Sequence, residues 1–208
     1  MEQLILWQSA SWFWMVSILI IEFYISANCD IQQDTLSKGG TMSIIKNEPT
    51  LQDEEIVALR KAFAQRARWM KLFIDEMKEN GMDWEAAARR AISKYGVETG
   101  TSYQEQMEGP GLADLHNFVC AKWARKIFEA EILEDNEDHY HFNFHHCPLV
   151  TGWQMEGCSD EEIKCLCDIA MDGDRGIAKG LNDVAFTLGR TIAEGHDCCE
   201  VRFDRIKK

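Results

Sequence analysis

From Leu51 to Asn80 the apolar residues Ile56, Leu59, Phe63, Met70, Phe73 and Met77 recur at helical spacing among charged neighbours, which predicts a long amphipathic helix with Gly81 as its stop. Asp83 predicts the cap of a second helix through Tyr95, rich in Ala86, Ala87, Ala88 and Ala91, with Gly96 at its end. After a polar loop from Glu98 to Pro110, a third helix is expected over Leu112 to Ile132, with Leu115, Phe118, Val119, Ile127 and Phe128 on its inner face. The acidic run Glu131 to Asp138 reads as a solvated connector. Met and aromatic side chains in these stripes are core positions, because burial itself demands that period.

Beyond the acidic run the period changes from about 3.6 to 2. In the stretch from His139 to Cys147, a strand places His139, His141, Asn143, His145 and Cys147 on one face and Tyr140, Phe142 and Phe144 on the other. Pro148 suits the first turn of a helix, where its missing N–H would be unpaired anyway. Ser159-x-x-Glu162 is a capping-box pattern and opens a further helix carrying Ile163, Cys165, Leu166, Cys167 and Asp168. Val184, Phe186 and Leu188, then Cys199, Val201 and Phe203, alternate with their neighbours as two strands of a hairpin, with Gly195 at a positive φ in the connection. The pattern is that of an α+β protein: a helical N-terminal half, then a small antiparallel sheet with packed helices.

Residues 1–41 are unlike the rest. The uncharged run from Gln3 to Ile21 approaches the ~20 residues that span a bilayer, so residues 4–27 read as a membrane anchor. Against this, Glu22 interrupts the run and no Lys or Arg precedes Lys38. A secretory signal fits poorly with Glu2 in place of a positive charge. Lys38-Gly39-Gly40-Thr41-Met42 also back-translates to a purine-rich bacterial ribosome-binding site ahead of an ATG, which would make Met42 the start of a single domain over residues 42–208. Anchor and mis-assigned start are equally weighted expectations, and membrane association is expected only if residues 1–41 are native.

With 35 acidic against 22 basic residues and a net charge of −13, the chain lacks the clustered cations that phosphate backbones reward, which excludes a general nucleic-acid binder. A small-molecule partner fits better, and a homo-oligomer stays open. The eight cysteines show no paired C-x-x-C spacing and read as reduced thiols of a cytoplasmic protein.

Four of the six histidines fall between His139 and His146, and no other stretch gathers as many metal ligands or acid, base and nucleophile groups. A wet strand face carrying polar residues for solubility alone is the competing reading. At the turn into the helix begun by Pro148, Cys147 would meet the positive end of a helix dipole, which favours thiolate over thiol.

The order Cys147, Cys165-x-x-Asp168, Arg190-Thr191-x-x-Glu194-Gly195 and Cys199-Glu200-Val201-Arg202-Phe203 resembles the L-2-amino-thiazoline-4-carboxylic acid hydrolase family, over roughly Asp138 to Phe203. That family follows a helical half with a Cys, a Cys-x-x-Asp, an Arg-x-x-Thr-x-x-x-Gly and a Cys-Asp-Phe-x-Phe. Here Cys-Glu-Val replaces Cys-Asp-Phe, and His146 stands where an Arg often precedes the first Cys. The resemblance implies ring opening of a small cyclic thiazoline or amidine carboxylate by water at the carbon between sulfur and nitrogen, yielding N-carbamoyl-cysteine in the named reaction. It further implies Cys147 as nucleophile, with His145, Asp168 and Cys199 as catalytic partners, and Arg190, Thr191, Glu194 and Gly195 around the substrate carboxylate.

Two alternatives use the same residues. Zn²⁺ held by Cys147, His145 or His141, and Cys199 or Cys165 would activate water instead. A non-catalytic sensor would use these side chains to bind a metal or small effector.

Overall fold

In a computed structural model of the chain, residues 43–207 are described. The segment read as an anchor over residues 4–27, or as sequence ahead of a start at Met42, lies outside them. The α+β expectation holds: a helical N-terminal half leads into a four-stranded sheet with packed helices.

Helix α1 (Glu54–Glu79) buries Ile56, Arg60, Ala64, Ala67 and Ile74. Phe73, placed on its inner stripe by spacing, is instead 68% exposed. The buried line is lined with alanine because α4 (Pro148–Met155) lies close against it. A Cβ on Gly152 would collide with the Ala64 carbonyl, and the Trp153 indole N–H donates to the Ala67 carbonyl at 3.1 Å. Large apolar residues mark a wide stripe, whereas a tight crossing selects small ones.

Helix α2 (Trp84–Gln106) begins where expected, although Asp83 makes no side-chain cap bond. It does not stop at Gly96. Gly96 and Gly100 are both buried in its interior, and a Cβ on either would overlap the backbone of α6 (Asp172–Gly180), at Gly173 and Ile177. Gly176 and Gly180 answer from the other side, against Ser93, Val97 and Thr101. Two glycine-lined helices thus meet backbone to backbone, so the glycine that reads as a stop is a packing surface.

The single helix expected over Leu112 to Ile132 is broken into a short 3₁₀ turn (Leu115–Asn117), helix α3 (Lys122–Ile127) and strand β1 (Ala130–Asp135). The acidic run is therefore strand for much of its length rather than a connector. Glu129 makes the break, in the left-handed region at φ 49°. Its carboxylate accepts from the Thr50 N–H and hydroxyl, both at 2.7 Å, the Leu51 N–H at 2.8 Å, and the buried Arg60 guanidinium at 2.8 Å. Burial pushes this carboxyl up, but the bonds from Leu51, Thr50 and Arg60 outweigh it and hold the pKa below the ordinary glutamate range. Glu129→Gln is expected to cost about 2 kcal/mol at neutral pH, the scale of hydrogen bonds to a charged group. Because the folded pKa lies below the unfolded value of about 4.3, the contribution is complete above that value and is lost as pH falls through the folded one. Urea unfolding should therefore show the gap between wild type and variant closing on acidification.

Strands β1, β2 (His139–Phe144), β3 (Val184–Leu188) and β4 (Cys199–Arg205) form an antiparallel sheet in the order β1-β2-β4-β3. The β3–β4 pair and Gly195 at φ 85° match the expected hairpin. Tyr140, Phe142, Val201 and Phe203 are buried with Leu112, Leu115, Val119, Ala178 and Leu181 in one core. A second core gathers Ile45, Val150, Trp153, Ile163, Leu166, Ile169 and Ile192 around Cys147, Cys167 and Cys199. Helix α5 (Asp160–Ala170) supplies part of it, started by the expected capping box between Ser159 and Glu162. Among the described residues no helix is long and apolar enough to cross a membrane.

Candidate functional site

Cys147 is the N-cap residue of α4, with Pro148 opening the helix, as the dipeptide predicts. Its backbone is held by Asn47, one of the few buried polar residues. The Asn47 side-chain carbonyl accepts from the Cys147 N–H, and its amide donates to the Cys147 carbonyl, both at 2.8 Å. Asn47 belongs to an extended strap, residues 43–51, fastened at one end by Asp160 to Ser43 and Ile44 and at the other by Glu129 to Thr50 and Leu51. Along the strap Ile45 and Asn47 point in while Ile44, Lys46 and Glu48 are exposed, the alternation of an extended chain.

The Cys147 side chain makes no cap hydrogen bond, though the backbone N–H groups of Leu149 and Val150 in the first turn of α4 and the Arg66 charge act on its sulfur. These favour thiolate, yet the net direction is opposite to the one expected from the helix end. Burial pushes the Cys147 thiol above its ordinary value and outweighs them. Cys167 and Cys199 share its core, and burial pushes both of their thiols far up as well. A charge on any one of the three opposes a charge on the next, so the resting cluster is neutral. The Cys199 sulfur accepts from the Ile192 N–H at 3.3 Å, which ties the β3–β4 connection to the cluster. Cys167 escapes the Cys-x-x-Asp pattern, which draws attention to Cys165. The helical period does find it: Ile163, Leu166, Cys167 and Ala170 fall on one face, and Cys165 lies on another.

Other expected members stand elsewhere. Strand β2 ends at Phe144, so alternation fails beyond it, and His145 does not share a face with Cys147. It is exposed, its Nε2 3.2 Å from a Glu131 carboxylate oxygen. His146 is the buried imidazole, with Nδ1 2.9 Å from the Asn47 carbonyl, and burial lowers its pKa, so it is neutral. Asp168, expected as a catalytic partner of Cys147, is half-exposed and bound to Arg89 at 2.8 Å and Arg175 at 2.7 Å. Arg190 is exposed and already holds a carboxylate, that of Glu200, with contacts of 3.1 and 2.6 Å. Thr191 is buried, and its hydroxyl donates to Glu194 at 3.1 Å, while Lys164 pairs with the same carboxylate at 2.8 Å. Gly195 packs against Ile44 of the strap. The four residues thus belong to the β3–β4 connection whose Ile192 N–H touches Cys199.

The metal set drawn from His141, His145, Cys147, Cys165 and Cys199 is not brought together. Among the described residues, the group whose donor atoms converge within 4.8 Å is Glu134, His139 and His141. Surface hollows of about 230 Å³ over Lys71, Trp84 and Cys165, and of about 450 Å³ over Met107, Asn182 and Arg205, do not include Cys147.

The α+β body thus seats a buried thiol at a helix N-terminus, beside two further thiols. The model of the L-2-amino-thiazoline-4-carboxylic acid hydrolase family matches residues 62–203, and the chain belongs to that family. The family name is that of a hydrolase of a thiazoline carboxylate. The match runs from inside α1 to the end of the β4 core and contains all three clustered thiols, but not the strap that holds Cys147. No curated protein matches the chain, and no solved structure does.

Proposed function

We propose that the protein hydrolyses a small cyclic thiazoline or amidine carboxylate through a covalent adduct on Cys147. The observation that carries the reading is the seat of that residue, the N-cap of α4, within the span that the family model matches.

The chemistry suits a thiol that is neutral at rest. An amidine-like ring nitrogen is basic, so the substrate itself accepts the proton as the Cys147 sulfur adds to the ring carbon between nitrogen and sulfur. The bond from that carbon to the ring sulfur then breaks, and the departing sulfur takes the proton as a free thiol. Water next adds to the carbon, the Cys147 sulfur leaves and recovers a proton, and a carbamoyl product remains. The atoms balance with one water consumed and no oxidant. Charge developing on sulfur in both steps meets the α4 N–H groups. Arg66 is the cation whose field reaches this sulfur and is the first candidate to hold the substrate carboxylate, while Arg190 serves only if Glu200 releases it.

The test is incubation of the dialysed full-length chain with L-2-amino-thiazoline-4-carboxylate, with the carbamoyl-thiol product quantified after separation from the protein. Product formation is expected, with a transient adduct on Cys147 in the intact mass. If folded protein releases no thiol from any thiazoline carboxylate, the hydrolase reading fails and non-catalytic ligand binding takes its place.

A further inference from the structure

The outer face of the sheet carries a second constellation, unrelated to the thiol cluster. His139 and His141 project there from β2, Asp204 lies directly across β4 from His139, and Glu134 reaches in from β1. One Asp204 oxygen, Oδ1, is 2.7 Å from His139 Nδ1 and 2.7 Å from His141 Nε2, while a Glu134 oxygen is 2.9 Å from His141 Nδ1. The two imidazoles stand with ring centroids 5.2 Å apart, and His141 is the more enclosed of them. Arg202, opposite His141 in β4, does not fill the space. Its guanidinium is turned to the Phe142 and Val201 carbonyls and to the Asn143 side chain.

How Glu134 comes to be there is the second observation. The β1–β2 register shifts between Ile132 and Glu134, so that Ile132 is opposite Phe142 and Glu134 opposite His141, with Leu133 as the extra residue. Without this bulge, strict alternation would set Leu133 against His141 and turn Glu134 to the other face. Leu133, the bulged residue, is 48% exposed, and the bulge puts a third donor beside two imidazoles.

We propose that Glu134, His139 and His141 bind a divalent first-row transition-metal ion of the Zn²⁺ class, with Asp204 as the carboxylate that orients both imidazoles. Two imidazoles and carboxylates from adjacent strands are a donor set for such an ion. The three donor atoms lie within 4.8 Å of one another, and a tetrahedral ion with bonds of about 2.1 Å needs them roughly 3.4 Å apart, so side-chain rotation draws them together on the ion. A carboxylate on the free ring nitrogen of a metal-bound imidazole fixes its tautomer, and Asp204 reaches both imidazoles. This site lies at the opposite end of β2 from Cys147 and is independent of the hydrolase reading.

The test is titration of reduced, metal-free full-length chain with Zn²⁺ against a chromophoric chelator, repeated with Co²⁺ for its absorption spectrum. One equivalent is expected to bind, with cobalt d–d bands and no thiolate charge-transfer band. His139→Ala with His141→Ala should abolish it. Glu134→Gln and Asp204→Asn should each weaken it by about tenfold or more, the scale for ligand-orienting groups. His145→Ala, whose Glu131 partner lies outside the constellation, should leave it unchanged. Far-UV circular dichroism checks that the variants fold. The proposal is overturned by failure of the folded wild type to bind, by equal affinity in the double variant, or by a thiolate-to-cobalt band, which would put the ion on the cysteines.

Discussion

Cys147→Ser is expected to reduce turnover of a thiazoline carboxylate by about a thousandfold or more, the range in which enzymes lose rate when an attacking group is removed, and to leave the protein as stable as before. The two parts separate chemistry from structure. Serine is a good N-cap residue, so its hydroxyl satisfies the same Leu149 and Val150 N–H groups that act on the sulfur, and α4 keeps its start. The Asn47 clasp engages only the backbone of residue 147 and is untouched. What changes is the reacting atom: an alcohol gives up its proton far less readily than a thiol and leaves the carbon less readily in the second step. Steady-state assay with urea unfolding of the same preparation reads both parts. Cys198→Ser, at the partly exposed residue just before β4, serves as the control with activity retained. Full activity in Cys147→Ser would rule out the covalent route while leaving the family assignment as it stands.

The second large effect is on folding. Gly100→Val is expected to destabilise the protein by about 3 kcal/mol, the upper range for overpacking a tight interior, and to lower the melting temperature by roughly 6–12 °C for a domain of this size. A side chain on Gly100 would overlap the Ile177 carbonyl, which is backbone and cannot rotate away. Relief requires α2 and α6 to separate along a line that also includes Gly96, Gly173, Gly176 and Gly180. Such a shift would strain the Asp168 contacts to Arg89 on α2 and Arg175 on α6. Gly157→Ala is the comparison: it has a positive φ of 71° but open space around it, so it should cost only about 1 kcal/mol, the penalty for the left-handed region. Thermal unfolding followed by circular dichroism measures both. A Gly100→Val protein as stable as wild type would mean that α2 and α6 do not touch through their backbones.

Much of the architecture is legible in one dimension. The change of period near His139, the Ser159 to Glu162 capping box, the Cys147-Pro148 junction and the Gly195 turn are local signals, each satisfied by residues a few positions apart, and each is found where it was read. Cys147 and Cys199 stand out for the same reason, since strand and helix ends can be placed from neighbours in the chain. The errors have a common form. Gly96 has the local character of a stop, but its use was set by Gly173, on a helix far along the chain. The break after Ile127 has no local signal, because the groups that hold Glu129 come from Thr50, Leu51 and Arg60.

The site divides along the same line. Residue order marks Cys147 as the sulfur to watch, and with it the family. The state of that sulfur depends on burial, which is a property of the whole core, and burial reverses the direction expected from the helix end alone. The same core brings Cys167 and Cys199 beside it, leaves Arg190 with Glu200 and Asp168 with two arginines, and clasps Cys147 from Asn47, a hundred residues earlier in the chain. On the other face, a one-residue bulge moves Glu134 to the histidines, where alternation would have set Leu133. Periodicity assigns a residue to a face and a cap to an element. It carries no information on which distant face is packed against it, and desolvation, ion pairing and ligand convergence are all set by that second face.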